Sequence, residues 1–136
     1  MSLFDKFKKK KEATLSEDAI RWNKMFELWS NGDLPSPYSE LVGYYGEVSG
    51  EGHYCYFDNT AGTYDLEKTV EILAENLPEK LSENLKEAYA LYVRSLSEDD
   101  EEASDRLHSE MYECDVVYDK HQGLLEVMLQ EYANTL

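Results

Sequence analysis

Apolar residues recur along most of this chain at helical spacing. Trp22, Met25, Phe26 and Trp29 fall at i, i+3, i+4 and i+7, which makes one face of a helix. Ser16 suits the N-cap of that helix, Glu17 and Asp18 suit its positive end, and Leu15 can staple to Ile20. Glu17 and Arg21 add a favourable i,i+4 pair, and Asn31-Gly32 ends the helix in the left-handed way. After Asp33-Leu34-Pro35, Ser36 reads as a second N-cap with Pro37 at the first helical position. Tyr38, Leu41, Val42, Tyr45 and Val48 then supply a buried stripe, and Gly50-Glu51-Gly52 reads as its stop.

The segment from His53 to Asn59 is aromatic, and Tyr54-Cys55-Tyr56-Phe57 has strand propensity. It reads as a short helix, because no partner strand is apparent elsewhere. Leu66, Val70, Leu73 and Leu77 follow at spacings of 4, 3 and 4. Pro78 opens a further helix with Leu81, Leu85, Ala88, Tyr89, Tyr92 and Leu96 on its inner face. Ser97 reads as the cap of an acid-rich start leading into Leu107 and Met111, and a last helix carries Leu125, Met128, Leu129 and Tyr132. The expectation is an all-α, single-domain, irregular bundle of six or seven helices, with Trp22, Phe26, Leu73, Leu85 and Met128 buried.

Composition supports a folded domain. The 136 residues are 42% hydrophobic and 31% charged, a globular balance long enough to bury a core. Charge changes the picture more. The formal net charge is −16, and it is uneven. Residues 1–24 hold seven Lys/Arg against four Asp/Glu, whereas residues 25–136 hold six against twenty-five. Residues 1–14 therefore read as a mobile basic tail, able to fold back onto an acidic helical domain over 15–136. Ser2 in place of Gly excludes myristoylation. Such a field repels nucleic acid and anionic membranes and attracts basic proteins. The expected partners exclude direct nucleic-acid binding and stable membrane association. Two cysteines, Cys55 and Cys114, make no disulfide framework and read as free thiols of a cytoplasmic protein.

The chain carries no nucleophile motif, and its cluster Gly43, Gly46, Gly50, Gly52 lacks both P-loop and dinucleotide patterns. His53, Cys55, His108, Cys114 and His121 lack the paired spacing of structural zinc, and only Asp105-x-x-His108 approaches a di-iron unit. Residues 99–105 lack the glycine and closing glutamate of a calcium loop. No catalytic, cofactor-binding or metal-binding residue is expected, and the chain reads as a non-enzyme. A deep pocket holding His53 and Cys55 would reopen that reading. Most of the eleven tyrosines fall on apolar stripes; any left on the surface suit a protein interface, one between two copies of this chain included.

Glu67, Glu71, Glu75, Glu79, Glu83 and Glu87 recur at every fourth residue. On a helix this advances about 6 Å along the axis and about 40° around it, so each triad makes a ridge, with Pro78 dividing the two. Like charges at i,i+4 cost roughly 0.2–0.5 kcal/mol per pair, so helix stability does not account for them. Lys68, Lys80 and Lys86 are the local cations, and Glu83–Lys86 is a candidate compensating pair. The ridge is the expected partner-binding surface, with Glu98, Asp99, Asp100, Glu101 and Glu102 as an auxiliary patch.

The stretch from Glu47 to Gly62 resembles the signature of the DNA-mimic-protein-like family, small bacterial helical domains named for an acidic member that imitates DNA toward a DNA-binding protein. Gly52, Tyr56, Phe57, Asn59 and Gly62 match its pattern, while Glu51 stands at a glycine position, His53 at an aromatic one and Cys55 at a glutamine. Asp115-x-x-Tyr118, ahead of the final helix, fits the same context. The resemblance covers roughly 36–136. It implies an all-helical fold in which Gly50, Gly52 and Gly62 turn the chain, Tyr56 and Phe57 anchor it, and Asn59 caps or turns locally. It also implies an acidic binding module that mimics DNA toward a basic partner. An immunity-type protein that neutralises a toxin is the alternative.

Overall fold

The computed structural model describes residues 16–136, and among them every regular element is helical. The basic tail and the Leu15 staple lie outside the described residues. Five helices follow one another: α1 (Glu17–Ser30), α2 (Tyr38–Thr63), α3 (Leu66–Asn76), α4 (Glu79–Leu96) and α5 (Glu101–Ala133). Among the described residues the all-α class holds, and the expected six or seven helices are five, because two supposed breaks are passed by continuous helix.

The first is at Gly52. The chain does not stop at Gly50-Glu51-Gly52 but kinks there, at a single residue with φ 86° and ψ 176°, and α2 runs on to Thr63. The second lies before Leu125. Leu107, Met111, Cys114, Tyr118, Leu125, Leu129 and Ala133 form one buried stripe along the 33 residues of α5. That helix is about 50 Å long. It is the spine of the fold, packing against α1, α2 and α4, while α3 packs on α2 and α4.

Local caps explain the starts. The Ser16 hydroxyl accepts the Ala19 amide, Asp65 accepts that of Lys68, and Asp100 accepts that of Ala103. Pro78 precedes α4 as expected. Ser97 does not start α5; it closes α4, and the acids after it are split between linker and first turn. Ser36 does not cap α2 either, because its hydroxyl donates to the Glu40 carboxylate at 3.1 Å.

The core is aromatic and aliphatic. Leu73 and Leu85 are fully buried, as the spacing predicts, whereas Trp22, Phe26 and Met128 are only partly buried against the core's edge. In α1 the inward residue is Met25, and Trp29 stays 41% exposed. In α2 Tyr44 faces inward and Tyr45 stays at the rim, its hydroxyl donating to Glu126 at 3.1 Å. At the end of α4, Leu96 is exposed and Leu91 is buried in its place; Tyr89 is intermediate. The first turns of α1 are tied to the end of α5 and the residues after it. Arg21 donates to the Leu136 carbonyl, and Gln130 donates to that of Asp18 at 3.0 Å. Leu73→Ala should cost roughly 2–5 kcal/mol in urea unfolding. A cost near zero would place the inner face of α3 elsewhere.

Candidate functional site

The residues of the glycine-aromatic signature meet α5 around one buried imidazole. A kink at Gly52 frees main-chain donors at the start of the second half of α2, as at any helix N-terminus. Asp115 of α5 supplies the cap: its Oδ1 accepts the His53 amide at 2.9 Å and lies 2.7 Å from His53 Nδ1. The carboxylate fixes the proton on Nδ1, which leaves Nε2 to accept the Tyr44 hydroxyl at 2.7 Å. His53 is fully buried among the rings of Tyr44, Phe57 and Tyr118. Tyr118 extends the network, its hydroxyl 2.8 Å from Ser49 Oγ. Burial first, then the neighbouring Tyr118, pushes the Tyr44 phenol well above its usual range.

Gly52 is required twice. Its φ is left-handed, and a Cβ there would lie 2.5 Å from Asp115 Oδ2. Tyr56 and Phe57 are buried anchors, as the resemblance implies. Gly50 and Gly62 do not turn the chain; both are helical, with open space where a Cβ would stand. Asn59 neither caps nor turns: it sits inside α2 and donates across the kink to Glu47.

All six ridge glutamates are exposed. Glu67 and Glu71 lie on one flank of α4, Glu83 and Glu87 on another. Glu67 and Glu71 flank Tyr89, raising its phenol after burial has done so, whereas Glu87 lies near Cys114 of α5. Residues 87 and 89 point about 200° apart on a helix. Glu83 and Glu87 share a shallow groove of about 250 Å³ with Lys80, Val117 and His121. The Glu83–Lys86 pair does not form. Among the described residues, Arg21–Glu17 at 3.4 Å is the only ion pair made by a Lys or Arg. Residues 98–102 are exposed but partly occupied: Glu98 accepts the Asp100 amide at 3.1 Å, Asp100 caps α5, and Glu101 and Glu102 sit in its first turn.

His53 and Cys55 share no pocket, since one is buried with both ring nitrogens engaged and the other is exposed. Among the described residues no group of three His, Cys, Asp or Glu is placed to hold a metal, and no helix is long and apolar enough to cross a membrane. Surface tyrosines remain: Tyr64 and Tyr112 are exposed, the latter beside Val116 on α5.

Burial, followed by the carboxylates of Glu87, Asp115, Glu113 and Glu110, pushes the Cys114 thiol from 9.0 up to about 11. The unfolded chain therefore releases this proton first. The stabilisation is complete below pH 9 and is lost as pH rises toward about 11. Thermal melts should show Tm falling across that window, with a smaller fall in Cys114→Ala; equal falls would remove Cys114 from the account. No family model, curated protein or solved structure matches the chain.

Proposed function

We propose that this chain is a non-enzymatic binding module whose carboxylate surface occupies a basic protein surface, one that ordinarily holds nucleic acid. The observation that carries this reading is the lack of compensation. The ridge glutamates are all solvent-facing, and no Lys or Arg lies within ion-pair distance of any of them among the described residues. A surface selected only for solubility needs net charge, but it gains from mixing both signs. Here six Lys/Arg face twenty-five Asp/Glu over residues 25–136. The resemblance of residues 47–62 to the DNA-mimic-protein-like signature supports the same reading. So does the split of the ridge over two flanks of α4, which suits a partner that wraps a convex acidic body as it would a duplex.

The test begins with capture from the source cell at low salt. A basic partner should be retained at about 50 mM salt and released near 500 mM, because many charge contacts contribute together. Retention of a toxin whose site does not bind nucleic acid would favour the immunity-type reading instead. Competition with DNA then decides between the two.

A further inference from the structure

The elbow of α2 encloses a cleft of about 480 Å³, walled by both halves of that helix, the end of α1 and the start of α3. That volume lies in the range of small-ligand sites. Its walls combine three aromatic rings, Trp29, Tyr56 and Tyr64, with two carboxylates, Glu40 and Glu47, and no Lys or Arg. The two acids differ. Glu47 accepts the Asn59 amide across the kink. Glu40 accepts the Ser36 hydroxyl on Oε1, while its Oε2 is covered and has no hydrogen-bond partner, alone in this among buried side-chain polar atoms of the described residues. A covered carboxylate oxygen left unpaired is costly, and a positively charged donor is the group that would satisfy it. The Trp29 ring is held in place, its Nε1 donating to the Ser39 carbonyl at 3.1 Å and its edge lying against Gly43, where a Cβ would stand 3.5 Å from the ring.

We infer that this cleft is a receptor for an alkylguanidinium, the arginine side chain of the basic partner. The inference rests on the binding-module reading and adds an anchor to it. A guanidinium is planar and weakly hydrated, stacks on aromatic faces and offers paired donors to a carboxylate. An ammonium is compact and strongly hydrated, and gains less from three rings. The opening is rimmed by Trp29 and Tyr64, which are 41% and 72% exposed, so a side chain can enter from a protein surface, and a turn of the Glu40 carboxylate about its last bond would present the covered Oε2 to it. A bound arginine on this rim would also cover these two exposed aromatic rings.

The test is an NMR titration of the whole chain with N-acetyl-arginine N-methylamide, following the Gly43 and Gly46 amides and the Trp29 indole N–H. These three should move together and saturate. The citrulline analogue, which has the same shape and no charge, should bind at least tenfold more weakly. Glu40→Gln should weaken arginine binding at least tenfold while keeping a Tm no lower than wild type, because the unpaired oxygen is not holding the fold. Trp29→Phe should keep most of the binding and Trp29→Ala should lose it; Glu131→Gln, on the exposed surface of α5, should change nothing. Equal binding of citrulline, or of arginine by Glu40→Gln, overturns the inference. So does binding of agmatine without binding of the blocked arginine, which would make the cleft a site for a free small cation. The titration needs no partner, so it separates the cleft from the acidic surface. If Glu40→Gln fails to bind arginine yet captures the partner undiminished, the anchor is wrong and the module reading stands. If no salt-sensitive partner is captured while arginine still binds, the module reading fails by itself.

Discussion

Gly52→Ala should destabilise the protein by on the order of 3 kcal/mol, more than any other glycine-to-alanine change in α2. Two costs add. An L-residue at φ 86° is strained by roughly 1–3 kcal/mol. The new methyl group also meets Asp115 Oδ2 at 2.5 Å and must push the carboxylate away. Once displaced, Asp115 no longer accepts the His53 amide or Nδ1–H, and each buried donor left unsatisfied costs roughly 1–3 kcal/mol. Asp115→Ala should therefore reproduce most of the loss, and the double variant should lose much less than the sum, because both act on one contact. Gly62→Ala, in a helical site with open space, should be neutral or slightly stabilising. Urea unfolding of the four proteins checks this. Additive losses for Gly52→Ala and Asp115→Ala would show that the kink is not held by Asp115.

Reversal of Glu71, Glu75, Glu83 and Glu87 to Lys should abolish partner binding with helicity unchanged. Each reversal adds two positive charges, so the formal charge moves from −16 to about −8. Folding should survive for a local reason. Glu67 then stands four residues before the lysine introduced by Glu71→Lys, and Glu79 four residues before the one introduced by Glu83→Lys. That is the favourable orientation, worth roughly 0.2–0.5 kcal/mol per pair. All four sites are exposed and none makes an ion pair that would be broken. Because the triads lie on different flanks of α4, the halves can be separated. Reversing the pair on α3 alone and the pair on α4 alone should each weaken binding, and the loss should be partial if the partner grips both flanks. Full activity in either half-variant would confine the interface to the other flank. Circular dichroism and capture at fixed salt measure both sides of the prediction.

The parts of the fold legible in the sequence are those whose determinants are local. Ser16 and Pro78 mark helix starts by chemistry within one turn, and Val70, Leu73, Leu81 and Leu85 announce their faces by spacing alone. The kink was not legible as a kink. Gly50-Glu51-Gly52 carries the mark of a stop, and what lets the helix resume is Asp115, supplied from the far side of the bundle. Gly52, His53 and Asp115-x-x-Tyr118 stand in the sequence as separate features, with nothing local that joins them. The continuity of α5 was available in the spacing of Leu107, Met111, Cys114 and Tyr118 with Leu125 and Leu129, and Gly123 between them sits in open space where helix tolerates it. Among the acids, the sequence showed the four-residue rhythm but not its division between two flanks, which depends on how α3 and α5 seat against α4. The Glu40 cleft was illegible, because its walls are drawn from three helices and its orphan oxygen is a property of packing.

The central claim is that the acidic surface takes the place of nucleic acid on a basic protein. Its most direct test is competition: the captured partner is loaded with labelled duplex DNA and titrated with this protein at fixed low salt. The account predicts that the wild-type chain displaces the DNA, that the four-fold lysine variant does not, and that raising salt weakens displacement steeply. A ternary complex, in which partner, DNA and this protein are bound together with the DNA undisturbed, would contradict it.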